Sequence, residues 1–326
     1  MTTIRDVAKL AQVSVATVSR ALNHSGYVRE STQKKVEEAA KTLNFHPNEV
    51  ARSLYQKKSK LIGLLLPDIT NPFFPAIAKG VEDSVNKRGY SLLLGNVEEN
   101  VEKEKDYLKI FAQNNVAGVV SAVQGNTTKM KDMPFVLLDR VTNNQKYAVH
   151  SDDFLGGTLA AQAVIHRRPK KIVIMVGPQN VASSLVRLAG SEQVLKEHKL
   201  SYERFQTPSF QSDLAEETAQ DFFKQHQDAD TVIASNDVYA LAVMKEASKR
   251  ELKIPEDFQI IGYDDMSFSR MMYPGLTTIS QPAYEIGYQG AELLCDILEK
   301  KPIKKKHIQL PVTLKLRESL REKGSL

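Results

Sequence analysis

Thr3-Ile4-Arg5-Asp6-Val7-Ala8-Lys9-Leu10-Ala11, then Gln12-Val13-Ser14, then Val15-Ala16-Thr17-Val18-Ser19-Arg20-Ala21-Leu22 is the stretch from which the rest of the chain is read. Ile4, Val7, Ala8 and Ala11 recur at helical spacing and form one apolar face. Gln12-Val13-Ser14 is a tight connection, and Ser14 can cap a second helix from Val15 to Leu22. Val15, Val18 and Leu22 would dock that helix on the first, leaving Ala16, Thr17, Ser19 and Arg20 outward. Two short helices joined this way, the second with an outward polar face, describe a helix-turn-helix. The expected partner is double-stranded DNA.

Charge distribution agrees. The chain has 326 residues and a formal net charge of +5, with 42% hydrophobic and 25% charged residues, ordinary for a globular protein. Residues 1–60 carry eleven Lys/Arg against five Asp/Glu, whereas 61–326 carry 33 against 34, so the excess charge lies where phosphates would be met. No apolar run resembles a signal peptide or a membrane span, which points to a cytoplasmic protein without a membrane partner. Cys295, the single cysteine, lies in an apolar helical pattern and reads as a packing residue.

A third helix is expected from a cap at Ser31 through Val36, Ala39, Ala40 and Leu43, with Pro47 closing the headpiece. Asn48 to Tyr55 is helical in pattern but too short to be stable alone in water, and reads as a hinge; 56–60 is linker. The expected domains are 1–47, a helix-turn-helix headpiece; 48–60, hinge helix and linker; and 61–326, a two-lobed effector-binding and dimerisation domain. From Leu61 onward, apolar runs at 61–66, 90–94, 118–122, 135–138, 171–176, 231–234 and 259–262 alternate with amphipathic segments at 74–88, 101–114, 153–166, 183–199, 213–227, 237–251 and 283–300. That alternation predicts an α/β class of doubly wound parallel sheets in two lobes, with ligands beyond the carboxyl ends of the strands. The segment 308–314 reads as one closing strand, and Lys300 to Lys306 as a solvated loop before it. The amphipathic segment 74–85 is a candidate dimer face.

Ile4-Arg5-Asp6-Val7-Ala8, Val13-Ser14-Val15-Ala16-Thr17-Val18-Ser19-Arg20 and Pro47-Asn48-Glu49-Val50-Ala51-Arg52-Ser53-Leu54 together resemble the lactose-repressor family of bacterial transcription factors, and the likeness runs to Leu316-Arg317-Glu318-Ser319. It implies a repressor whose core looks like the periplasmic sugar-binding proteins, acting as a homodimer on a pseudo-palindromic operator with a central CG step. It implies Val15, Ala16 and Arg20 at base edges, Arg20 bidentate to guanine; for Val15, packing inside the headpiece is an equal alternative. Thr3, Thr17, Ser19, Asn23 and Tyr27 would anchor phosphates. Asn48, Ala51 and Arg52 frame Leu54, which resembles the family's minor-groove wedge. Gln12 stands where the family often has glycine; in a left-handed conformation it would cost of order 1 kcal/mol.

Strand ends supply a second constellation: Asn71, Phe73 and Phe74; Asp139 and Arg140; Asn236; Tyr263 and Asp264; Gln281. Carboxylates, amides and an arginine exchange hydrogen bonds with hydroxyls, and aromatic faces cover a sugar ring. Singly, each is as readily a turn or helix cap. With Arg187 and Phe210 the set resembles the pocket of ribose-binding proteins, which implies D-ribose as inducer of a ribose uptake or utilisation operon. Near Ser121 those receptors carry a side-chain amide that this chain lacks.

Alternatives within the family are a purine- or nucleoside-responsive regulator and a catabolite-control regulator. An enzyme is not expected: the seven histidines are scattered without metal-ligand spacing, and no glycine-rich phosphate loop is present, so neither metal nor cofactor is implied.

Overall fold

The computed structural model describes residues 2–23, 26–45, 59–123, 133–141 and 145–324. They fall into two compact units, 1–59 and 60–326. The hinge expected at 48–58, with Asn48, Ala51, Arg52 and Leu54, lies outside the described residues, and so does the side chain of Asn23.

The first unit packs three helices, α1 (Ile4–Ala11), α2 (Val15–Asn23) and α3 (Glu30–Thr42), around Val7, Ala8, Ala11, Val18, Ala21, Val36, Ala39 and Ala40. Asp6 accepts from Thr3 N (2.8 Å) and Thr3 Oγ1 (2.7 Å), fixing the start of α1. Gln12 ends α1 in the left-handed region (φ 55°, ψ 42°), with Val13 N donating to Ala8 O at 3.1 Å. Ser14 Oγ accepts from Thr17 N at 3.1 Å and caps α2. Ser31 is not a cap: α3 starts one residue earlier, and both Thr32 N and Gln33 N donate to Arg29 O, so Ser31 already sits within the first turn.

The second unit holds two six-stranded sheets, ordered β2-β1-β3-β4-β5-β11 and β7-β6-β8-β9-β10-β12. The first uses β1 (Leu61–Leu66), β2 (Ser91–Asn96), β3 (Gly118–Ser121), β4 (Phe135–Leu138), β5 (Ala148–Ser151) and β11 (His307–Leu310). The second uses β6 (Ile172–Val176), β7 (Tyr202–Gln206), β8 (Thr231–Ile233), β9 (Gln259–Asp264), β10 (Thr277–Ser280) and β12 (Thr313–Lys315). All neighbours are parallel except β10 with β12. In β1, alternate residues enter separate cores, Ile62, Leu64 and Leu66 on one face and Leu65 on the other. Both sheets are therefore buried on two sides, as parallel sheets require.

Helices α4 (Phe73–Lys87), α5 (Val101–Gln113) and α10 (Ala283–Leu298) cover the first sheet. The second is covered by α6 (Asp153–Ile165), α7 (Ala182–Glu197), α8 (Ala215–Gln225) and α9 (Asp237–Lys249). The chain crosses between lobes at β5–α6, at β10–α10 and between β11 and β12. The last crossing corrects the single strand expected at 308–314: Pro311 has no amide to donate, and the chain leaves one sheet there and enters the other.

Helices α4 and α10 meet glycine to glycine. A Cβ on Gly80 would stand 2.0 Å from Tyr284 O, and one on Gly287 2.1 Å from Ile77 O. The apolar face of 74–85 is thus covered by the same chain, and its outward residues include charged Lys79 and Glu82. Cys295 is buried in that core, and burial pushes its thiol up to about 11. Among the described residues no helix is long and apolar enough to cross a membrane.

Candidate functional site

In the headpiece, α2 divides by face. Val18 and Ala21 are fully buried, whereas Val15 is 42% exposed and Ala16 and Arg20 are exposed beside it. Val15 therefore lies outward, and its packing alternative falls away; Ala21 takes the docking role. Among the described residues, Arg20 has no carboxylate within ion-pair reach, leaving its guanidinium fork for an acceptor outside the headpiece. Thr17 and Ser19 are half-buried, Thr3 and Tyr27 exposed. Thr17 Oγ1 lies 2.9 Å from Ser14 Oγ, so it helps hold the turn as well.

In the core, one cavity of about 320 Å³ is lined by Asn71, Phe73, Phe74, Asp139, Arg140, Arg187, Phe210, Asn236, Asp264 and Gln281. Ten of the eleven residues singled out from the sequence meet there, from both lobes. The eleventh, Tyr263, does not line it. Its ring backs Arg187, whose Cζ stands 3.9 Å from the ring centroid, and it faces a separate cavity of about 380 Å³.

Local rules explain the placement. Asn71 Oδ1 accepts from Phe73 N (3.1 Å) and Asn236 Oδ1 from Tyr239 N (2.9 Å). Both amides act as turn and helix caps and still keep their NH2 groups to offer. Asp139 (φ 59°) and Asp264 (φ 115°) hold backbone conformations unusual for non-glycine residues. Strain of this kind collects where a fixed side-chain direction is needed.

Electrostatically the cleft is a dense buried mixture. Arg187 Nε donates to Asp153 Oδ1 at 2.7 Å. Burial pushes Asp153 up to about 6, against the pull of Arg187 and with help from Asp139. Asp264, held by Gln281 Nε2 at 2.6 Å, is raised well above the usual carboxylate range by burial. Burial works against the charge on Arg187, but Asp153, Tyr263, Asp264 and Asp139 together raise its pKa. Arg140 sits between the lobes, 5.5 Å from the Phe74 ring centroid and 5.9 Å from that of Phe210. Its partner is Glu99, at 3.1 Å, rather than Asp139. Glu99 Oε2 also accepts from Ser209 Oγ at 3.4 Å, across the cleft. Asp139 Oδ1 and Gln281 Oε1 are buried and receive no hydrogen bond from the described residues.

Asp153, Glu99, Val181 and Ser183 were not singled out from the sequence. Asp153 is half of the pair Asp152-Asp153 at a strand end, and Asp152, which caps α6 through Leu155 N, accounts for the pair on its own. Glu99 lies in a run of acids (Glu98-Glu99…Glu102) whose pattern carries no directional signal. Ser121 Oγ turns onto Val123 of its own loop. Asp237, next to Asn236, is structural: it accepts from Met266 N, Ser269 Oγ and Thr278 Oγ1, and burial still pushes it up to about 6. Among the described residues no group of His, Cys, Asp and Glu could hold a metal ion.

Residues 3–48 match the bacterial regulatory proteins of the lacI family, and residues 161–320 match the periplasmic binding protein-like domain. The ribose operon repressor of Bacillus subtilis (strain 168) is 46% identical, over 99% of each chain. The crystal structure of the lac repressor dimer bound to operator and the anti-inducer ONPF superimposes with a TM-score of 0.86 at 25% identity, covering 98% of each chain. A LacI family transcriptional regulator from Enterococcus faecium with bound ribose gives 0.72 at 29% identity, over 80% of this chain and 98% of that one.

Proposed function

The chain belongs to the lacI family of bacterial regulatory proteins, and from that premise we propose that it is a cytoplasmic, sequence-specific repressor released from its operator by D-ribose. The observation that carries the effector is the pair of buried acceptors, Asp139 Oδ1 and Gln281 Oε1, which receive no donor from the described residues. A buried acceptor without a donor costs about 1–3 kcal/mol, and a ligand bearing several hydroxyls removes that cost at both atoms. The two arginines supply donors for ring and hydroxyl oxygens, and Phe73, Phe74 and Phe210 cover apolar ring faces. The ribose-bound relative supports the same choice.

For the operator, the exposed face formed by Val15, Ala16 and Arg20 fits the major groove, with Thr3, Thr17, Ser19, Asn23 and Tyr27 at phosphates and Asn48, Ala51, Arg52 and Leu54 at the centre. A homodimer reads the two halves of the palindrome. Sugar, bridging residues from both lobes, favours the closed arrangement and lowers operator affinity by its differential affinity for the two states.

The test is an operator titration with and without D-ribose, with hypoxanthine and guanine as controls. Release by ribose alone supports the reading. Tighter binding with a purine would transfer the chain to the purine-responsive branch, and indifference to all three would remove the effector assignment.

A further inference from the structure

The core is close to neutral in sum, but its lysines are not evenly spread. Because β1, β3, β4, β5 and β11 run parallel, their amino ends form one face of the first lobe. The chain enters the core on that face at Lys60, whose carbonyl accepts from Ser91 N, and Lys306 O accepts from Ala148 N on the same edge. The loop after α10 brings Lys300, Lys304 and Lys305 there, and Lys146 precedes β5. All six lysines are exposed, and none has a carboxylate within ion-pair reach among the described residues. The nearby acids are already used: Glu292, Asp296 and Glu299 are held by Arg88, and Lys301 takes Asp296 and Glu299 as well. Four strand spacings separate β1 from β11, so the face extends roughly 20 Å.

We propose that this lysine face is a second, sequence-independent contact surface for the phosphate backbone of the duplex that the headpiece reads. Unpaired exposed ammonium groups spread over this distance match a rod with one negative charge per ~1.7 Å of axis. They lie on the face to which the DNA-binding unit is tethered, so binding by that unit raises the local concentration of phosphate around them. The contact adds affinity without base selection, and the inference rests on the operator-binding reading.

The test compares the full chain with the variant Lys304→Gln/Lys305→Gln/Lys306→Gln, and with Lys109→Gln/Lys224→Gln/Lys245→Gln as an equal charge change elsewhere. Surface changes of this kind alter stability by only about ±0.5 kcal/mol. Affinity is measured from 50 to 200 mM salt on a duplex selected by the parent and on an unrelated duplex. Loss of about three phosphate contacts per protomer, about six per dimer, lowers the slope of log K against log salt by about 5.4. The parent should then lose on the order of 1,000-fold more affinity than the first variant over that range, with the ratio between duplexes unchanged. Equal slopes for parent and first variant, or an equal drop in the control, overturn the proposal. Unchanged slopes together with lost binding to poly-glutamate would reassign the face to an acidic protein partner and overturn it too. If the parent shows no preference between duplexes, the operator reading fails, yet the slopes on unrelated DNA still decide this face.

Discussion

Asp153→Asn is expected to make the protein more stable at neutral pH and no more stable in acid. In the folded chain the Asp153 carboxyl is pushed up to about 6 by burial, against 3.8 when free. A group raised in this way favours the folded state below about pH 4, where both forms are protonated alike in charge and the native site has no buried anion to carry. That advantage disappears as pH climbs through 6. At pH 7 the buried anion costs about 3 kcal/mol relative to the unfolded chain. Asparagine keeps an oxygen to accept from Arg187 Nε and carries no charge. The melting temperature should therefore rise by roughly 5–10 °C at pH 7, with the gain shrinking below pH 5. Differential scanning calorimetry of parent and variant from pH 4 to pH 8 measures this. A difference that stays constant with pH, or a variant less stable at pH 7 than at pH 4 relative to the parent, refutes the reasoning. Since Arg187 lines the sugar cleft, a stabilised Asp153→Asn that binds ribose more weakly would mark the anion as retained for recognition at the expense of stability.

Gly287→Ala should destabilise by at least 1–3 kcal/mol in urea titrations, because its Cβ meets Ile77 O at 2.1 Å; a gain of the ~1 kcal/mol usual for alanine in a helix would contradict the close helix approach. Tyr263→Phe removes a buried hydroxyl that has no partner among the described residues, so thermal stability should hold or rise by about 1 kcal/mol. A fall of that size would mean the hydroxyl is bonded after all. Glu99→Gln loosens Arg140 and the bridge to Ser209, and ribose affinity by calorimetry should drop about 10-fold, as for a charged hydrogen bond worth ~1.5 kcal/mol. Operator affinity without sugar should not change, and an unaltered ribose affinity would show that the bridge does not matter to the cleft.

Strong periodicity carried most of the architecture. The helices of the core begin and end within two residues of where apolar spacing puts them, and β1 and β4 coincide with their apolar runs. What escaped was short or polar. Ala148–Ser151 spans four residues and contains a histidine, and Tyr202–Gln206 is a sheet edge with mostly exposed side chains, so neither shows an apolar run. In the cleft, residues that end strands were legible because parallel sheets gather their carboxyl ends. Asp153 and Glu99 were not, because their roles depend on contacts with Arg187 and Arg140, far away in sequence. Tyr263 illustrates the reverse: its strand end was found, but the side to which the ring turns is a matter of packing.

The three crossings between lobes also constrain how the molecule is made. During synthesis the first lobe lacks α10 and its edge strand β11 until after the strands of the second lobe up to β10 have emerged from the ribosome, and the second lobe waits even longer for β12 and for Ser319, whose hydroxyl ties Thr277 to Ile260. Neither lobe can be finished by a nascent chain on its own, so both complete close together as residues 307–319 emerge, and a premature stop before His307 leaves two open sheets rather than one intact domain and one damaged one.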